Sequence, residues 1–311
     1  MIFTAAPGHL METIALLPAD DSPVTLQLQQ GVYREKCVLS RPNTTIVGAG
    51  SDKTRIVWGD GAYEMMPDGL KRGTFRTATL LIDGDHVTLR GVTVENDAFP
   101  REKVGQALAL YVDAQDFVCE DCVLFSYQDT LFTAPLPPKE VEKNGFLGPK
   151  QFTPRTPQKH TYRRCLIRGD VDFIFGGAAA WFEDCEIRNA DGRADKSAPF
   201  GGYATAACTP EGQKYGYVFH RCRFTGEDVP DGSVYLGRPW REFARTVLID
   251  CELGKHIHPE GWCEWSGRGA AGGVVYAERG SYGAGAQGER IAFAKAWEEE
   301  TTYEDFMAAE L

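Results

Sequence analysis

Trp181-Phe182-Glu183-Asp184-Cys185-Glu186-Ile187-Arg188-Asn189 is a short apolar strand, a polar pair, a small residue and a second short strand. The pattern returns in residues 87–96 (VTLRGVTVEN), 117–126 (FVCEDCVLFS), 161–169 (TYRRCLIRG), 217–226 (YVFHRCRFTG) and 246–254 (TVLIDCELG). Its central small residue is Gly91, Cys122, Cys165, Cys185, Cys222 and Cys251, at successive spacings, by subtraction, of 31, 43, 20, 37 and 29. A constant motif at unequal spacing predicts a solenoid whose coils carry loops of different length. No single coil can bury its apolar face alone, so stacking must supply the core. The repeated cysteines are then expected inside, one per rung, as small soft hydrophobes. Cys119 and Cys122 form a C-x-x-C, but positions three apart on one strand point to opposite faces. They are therefore read as structural, not as a metal or redox pair.

Outward from the repeat, the chain stays β-rich. Residues 24–28, 36–39, 44–48 and 54–58 alternate or run apolar between Gly, Asp and Asn punctuation. Residues 8–18 predict a short helix ended by Pro18, and residues 291–309 carry the other helical pattern. The fold class is all-β, with short helical segments at the termini and one domain over residues 1–311. Residues 134–160 break the pattern with a proline-rich polar stretch, expected as a long loop near a functional cleft.

Composition narrows the function. The 311 residues carry a formal net charge of −11 and a pI near 5.1. A nucleic-acid binder would show a basic footprint instead. No segment is long enough to span a bilayer, and the N-terminus shows no signal peptide, so a cytoplasmic monomer is expected, or a secreted one if the chain was trimmed. The six histidines have no ligand spacing, so no metal and no cofactor are expected.

The chemistry-bearing stretch is Gly169-Asp170-Val171-Asp172-Phe173-Ile174-Phe175-Gly176-Gly177. An acid inside an apolar strand is costly unless something pairs it, so Asp172 is either an ion-pair partner or a working carboxylate. Polar groups also interrupt apolar runs in Gln106-Ala-Leu-Ala-Leu, in Tyr127-Gln128-Asp129-Thr-Leu and in Leu236-Gly-Arg238-Pro-Trp240. These motifs, in this order, resemble the signature set of the pectin methylesterases (pectinesterases). Residues 31–35 (GVYRE), 259–265 (PEGWCEW) and the Gly-Ala-Gly-Ala tail at 283–286 match as well, so the resemblance runs from about residue 10 to about 307.

The resemblance implies a single-stranded right-handed parallel β-helix that hydrolyses methyl esters of polygalacturonate or oligogalacturonides. By resemblance, Asp172 is the nucleophile and Asp129 the general acid, then base. Gln128 and Gln106 stabilise the oxyanion, and Arg238 keeps Asp172 ionised. Trp240 and Trp262 are expected as sugar platforms, Phe132 and Phe175 as groove lining, and Thr74 as a substrate contact. Tyr33 and Glu35 are read as structural. The competing readings are an esterase or thioesterase of the same fold on another acyl group, and a polysaccharide-binding solenoid without turnover. The chain departs from the family at Asp170, where Thr is usual, at Phe132 in place of Tyr, at residues 207–209 (ACT), and in the 43 residues from Asp129 to Asp172. On a regular strand Asp170 and Asp172 share a face, so Asp170 is expected to raise the pKa of Asp172 unless a cation offsets it.

Overall fold

The computed structural model describes residues 1–311. Its strands form three parallel sheets of eleven, eight and seven strands. One coil shows how they arise. Phe117–Glu120 lies in the eleven-stranded sheet, Val123–Phe125 in the eight-stranded sheet and Leu131–Thr133 in the seven-stranded sheet. Lys159–Arg163 then returns beside Phe117–Glu120 in parallel. Parallel crossovers of this kind are right-handed almost without exception, and the arrangement is the expected β-helix.

Register turns the sequence repeat into columns inside the coil. Leu89, Cys119, Tyr162, Phe182, Phe219 and Leu248 are successive partners in the eleven-stranded sheet. The Tyr162, Phe182 and Phe219 rings stack at 4.7 and 4.4 Å. In the eight-stranded sheet the column is Leu124, Ile167, Ile187, Phe224 and Leu253. Burying each large side chain contributes roughly 1.5–3 kcal/mol, and only the neighbouring coil can supply the cover.

The corner between the first two strands of each coil refines the reading of the repeat. Gly91, Asp121, Arg164, Asp184, Arg221 and Asp250 all have φ between 52 and 64°. Gly91 is thus the turn residue, and Val92 is the inward counterpart of the cysteines. The left-handed residue also breaks the strand alternation. Cys119 and Cys122, expected on opposite faces, are both buried in the same core. Cys165 Sγ lies 3.8 Å from the sulfur of Cys119, which stands outside the expected series of central small residues.

The ends are closed as the chain pattern suggests, with one difference. Leu10–Ala15 is helical; its N-cap His9 offers no side-chain acceptor, and Glu35 accepts the Leu10 and Met11 amides instead. Tyr33 donates to the Ala5 and Gln29 carbonyls. At the other end only Tyr303–Ala308 is helical within 291–309, because the Thr302–Asp305 capping box starts the helix late. Its Phe306 packs on Trp181 outside the eleven-stranded sheet.

Candidate active site

The site stands on the outer face of the seven-stranded sheet. Outward positions there form a column of Val38, Leu81, Tyr111, Phe132, Phe175 and Ala206. The polar stretches enter this sheet on consecutive coils. The Ala107 amide donates to the Gln128 carbonyl at 3.0 Å, and the Asp129 amide donates to the Val171 carbonyl at 3.0 Å. Leu131 pairs with Ile174, so counting back two residues places Asp129 opposite Asp172. The Arg238 amide, two coils on, donates to the Thr205 carbonyl.

Both acids sit in unusual backbone. Asp129 has φ +64° and Asp172 φ +51°. Between Val171 and Ile174 the register with the following strand shifts, marking a bulge. Bulges re-aim a side chain at the cost of local pairing. Asp tolerates the left-handed region better than most residues, so an acid can hold this conformation and project into the cleft.

The bulge also separates Asp170 from Asp172. Asp170 is fully buried, pairs with Arg101 Nε at 2.7 Å and accepts the Gly192 amide at 3.2 Å. Burial pushes Asp170 up to about 6, with Arg101 opposing the rise. The shared face expected from strand parity is therefore not present. Asp170 serves a separate buried ion pair and contributes only a minor upward push on Asp129.

Arg238 holds Asp172 through two parallel hydrogen bonds, Nε to Oδ1 at 2.9 Å and Nη2 to Oδ2 at 2.6 Å. Its guanidinium is sandwiched between Tyr203 and Trp265, 4.0 and 3.9 Å from the ring centres. Burial raises the Asp172 pKa and Arg238 works against that rise. Asp129 has no such partner. Burial, followed by the neighbouring Asp172 charge, lifts it well above the usual carboxylate range. When one of the pair is ionised it is Asp172, and Asp129 retains a proton. Environments that drive a pair of carboxylates to different protonation states assign one the acid role and the other the nucleophile role.

A groove of about 760 Å³ opens over these groups, lined among others by Gln106, Gln128, Thr74, Phe175 and Trp240. Phe175 and Trp240 meet edge to face at 5.7 Å. Two expected lining residues are elsewhere. Trp262 is fully buried and stacked on Tyr276 at 4.4 Å, inside the coil rather than beside a sugar. Trp262 still follows the ladder, bridging to Gly237, whereas the chain leaves the sheet after it. Trp265, three residues on, is the tryptophan that reaches the groove. Phe132 is also fully buried, because Tyr111, Phe75 and Phe175 surround it at 4.7–5.0 Å. Ala207 and Cys208 are buried and offer no subsite contact. Trp262→Ala is therefore expected to cost about 3–5 kcal/mol of stability and to leave KM unchanged; an unchanged melting temperature with a raised KM would return Trp262 to the groove.

The proline-rich stretch crosses the top of this site. It has no strand between Thr133 and Lys159. Phe146 packs against Phe75 and Trp240 at 6.0 and 6.4 Å. Arg155 donates to the Pro137, Lys150, Gln151 and Thr153 carbonyls, and Lys150 pairs with Asp83. Between these ties, residues 141–147 line one wall of the groove.

The family model described as pectinesterase matches residues 8–136 and 155–310. The interval it leaves out, 137–154, is the wall segment. The chain is 33% identical over 282 residues to a probable pectinesterase/pectinesterase inhibitor of Arabidopsis thaliana; the match covers 86% of this chain and 43% of that protein. The chain thus spans about two fifths of the length of that relative. Among solved structures, a pectin methylesterase from carrot superposes with a TM-score of 0.79 at 27% identity, covering 96% of this chain and 88% of that one. A pectin methylesterase in complex with a hexasaccharide gives 0.78 at 25% identity, covering 97% and 93%. The cytoplasmic placement expected from the N-terminus is overturned by such relatives, which are secreted plant cell-wall enzymes and extracellular bacterial and fungal ones. The first residues of this sequence carry no information on compartment.

Proposed function

Since the chain belongs to the pectinesterase family, we propose that it hydrolyses methyl esters of a polygalacturonate chain, releasing methanol and leaving a carboxylate. Asp172 Oδ attacks the C6 carbonyl carbon. Negative charge developing on the carbonyl oxygen is met by the side-chain amides of Gln128 and Gln106, each such donor being worth about 10²–10³ in rate. Asp129 gives its proton to the departing methoxide, which leaves as methanol, and the galacturonyl acyl group remains on Asp172 as an anhydride. The Asp129 carboxylate then takes a proton from water, hydroxide adds to the galacturonyl carbonyl, and Asp172 is released as carboxylate. Trp240, Trp265, Phe175 and Thr74 hold the sugar. The observation that supports this most is the two-point Arg238–Asp172 pair set opposite a proton-retaining Asp129. A non-catalytic sugar-binding solenoid has no use for two buried acids held apart in protonation.

The test is methanol release from pectin and from a methyl-esterified trigalacturonide. Turnover of both is expected, with the trimer favoured, because the 141–147 wall narrows the groove. Deleting 137–154 should then raise activity on polymer relative to trimer. An unmoved ratio removes the gating role of the wall, and methanol from neither substrate removes the esterase reading.

A further inference from the structure

The reacting groups come from three stretches far apart in sequence, at Gln106, at Gln128 and Asp129, and at Asp172. Where these stretches enter the seven-stranded sheet they are tied together at Asp170. The Asp170 amide donates to the Tyr127 carbonyl at 3.0 Å, one residue before Gln128. Its carboxylate accepts the Val171 amide at 2.7 Å and the Gly192 amide at 3.2 Å. Arg101 Nε stands 2.7 Å from the same carboxylate. The neighbouring Asp191 is held by Arg193 at 2.9 Å and Lys196 at 3.2 Å, which leaves Arg101 as the cation in contact with Asp170. Arg101 opens the short helix Arg101–Val104. Its amide donates to the Gly192 carbonyl at 2.9 Å, and its carbonyl accepts the Gly105 amide at 2.8 Å. Gln106 is the next residue. Glu102 adds a second tie by accepting the Ala194 amide at 3.0 Å.

The junction has little slack. A Cβ on Gly192 would lie 2.5 Å from the Tyr127 ring, and one on Gly105 would lie 2.7 Å from the Tyr63 ring. Only bare backbone fits at either place. The Gln106 side chain has no hydrogen bond within the protein, so its backbone alone sets where its amide points. Asp170 and Arg101 do not line the groove. Burying an ion pair is at best weakly stabilising, and Asp170 is fully buried, so stability alone is a poor reason for a charge at this position. Resting on the esterase reading above, we infer that Asp170 and Arg101 are positioning residues: their contact clasps residues 101–105 to the strand of Asp172 and so holds the Gln106 amide where the oxyanion develops. With the clasp open, Trp240, Trp265 and Phe175 still bind the sugar. The oxyanion donor is then no longer fixed before charge develops, and it is that preorganisation which makes such a donor effective. The loss falls on kcat and spares KM.

Methanol release from a methyl-esterified trigalacturonide, with kcat and KM read separately, tests the clasp. D170N keeps the shape and removes the charge. Its kcat is expected to fall about tenfold to a hundredfold, the scale of misplacing a group at the reacting centre, with KM nearly unchanged. R101Q should behave alike, and R101K, which keeps the cation, should retain most of the rate. D170N/R101Q should be no slower than either single variant, because both residues act through one contact. Hydrogen exchange reads the same contact without turnover. Amides of residues 101–105 should exchange faster in D170N, while those of the core strand Ala179–Glu183 stay as protected as in wild type. A wild-type kcat in D170N, losses that multiply in the double variant, or unchanged exchange at 101–105 overturns the inference. Faster exchange throughout the chain also overturns it, since Asp170 would then support the fold and not the site. Wild-type turnover is the separate arm: no methanol from wild type removes the esterase reading and the positioning role with it, whereas methanol from wild type and D170N at equal rates removes the clasp alone.

Discussion

Asp172→Asn is expected to lower methanol release by roughly 10⁴-fold or more, the scale of losing a nucleophile, with substrate binding retained. The amide matches the carboxylate in shape, so the bulge at 171–174 and the aromatic floor around Phe175 have no reason to move. What is lost is the electron pair that forms the anhydride. Asp129 cannot take over as nucleophile. Burial, the larger cause of its raised pKa, remains in the variant and holds its proton, although removing the Asp172 charge takes away the second-largest cause. The residual pH profile should therefore lose its acid limb and show an alkaline limb displaced to lower pH. Measuring kcat and KM separately decides the matter: residual activity above about 1% of wild type excludes Asp172 as nucleophile, and a large rise in KM with modest loss of kcat makes it a binding residue.

Arg238→Gln is the second large effect, and it strikes stability as well as rate. The carboxylate of Asp172 is 10% exposed and Arg238 21%, so removing the guanidinium leaves an acid with little water and no counter-charge. Breaking a buried pair by deleting one partner costs about 3–5 kcal/mol. Tyr203 and Trp265 also lose the cation between them, each contact being worth about 0.5–1 kcal/mol or more. The pH dependence follows from the sign of the shift. Asp172 in the variant has a folded pKa raised above the unfolded one, so the folded state prefers the protonated acid. Below about pH 4, both states are protonated and this component of the deficit disappears. As pH climbs through the raised value the deficit grows, then levels off. Activity should likewise return only in more alkaline solution, where Asp172 ionises. Thermal melts of variant and wild type from pH 4 to 9 test this. A constant gap in melting temperature across that range would mean that Arg238 stabilises by packing and not by charge.

Much of this site is legible without coordinates because its chemistry is expensive. An acid set into an apolar strand, as at Asp172, and acids and amides at the entry to one, as at Asp129, Gln128 and Gln106, stand out against the apolar runs beside them. The repeat gives the solenoid for the same reason: only stacking can bury columns such as Tyr162, Phe182 and Phe219. Three of the misreadings share one physical cause, which is that strand parity carries information only while the chain stays in register. A left-handed Asp121 puts Cys119 and Cys122 on one face. The bulge after Val171 turns Asp170 away from Asp172. The exit from the ladder after Trp262 hands the groove to Trp265. Phe132 is a different case. Its position on the outer face is regular, and what buries it is Phe75, delivered by a short 3₁₀ turn at Thr74–Arg76 far away in sequence. Nothing local to Phe132 encodes that cover.

The left-handed corner has a consequence for assembly. Down the outside edge the corner residues read Gly91, Asp121, Arg164, Asp184, Arg221, Asp250, with charge alternating from Asp121 onward. Arg164 grips Asp121 at 2.7 Å and Arg221 grips Asp184 at 2.9 Å. A chain of near-identical coils can collapse with one coil looped out, since the apolar columns tolerate Leu, Phe or Tyr in any order. Omitting the Arg164 coil would seat Asp121 on Asp184, and omitting the Asp184 coil would seat Arg164 on Arg221. Like charges directly opposite are destabilising, so a skipped coil meets repulsion where the correct order meets attraction. The edge acts as a parity check on the order of stacking.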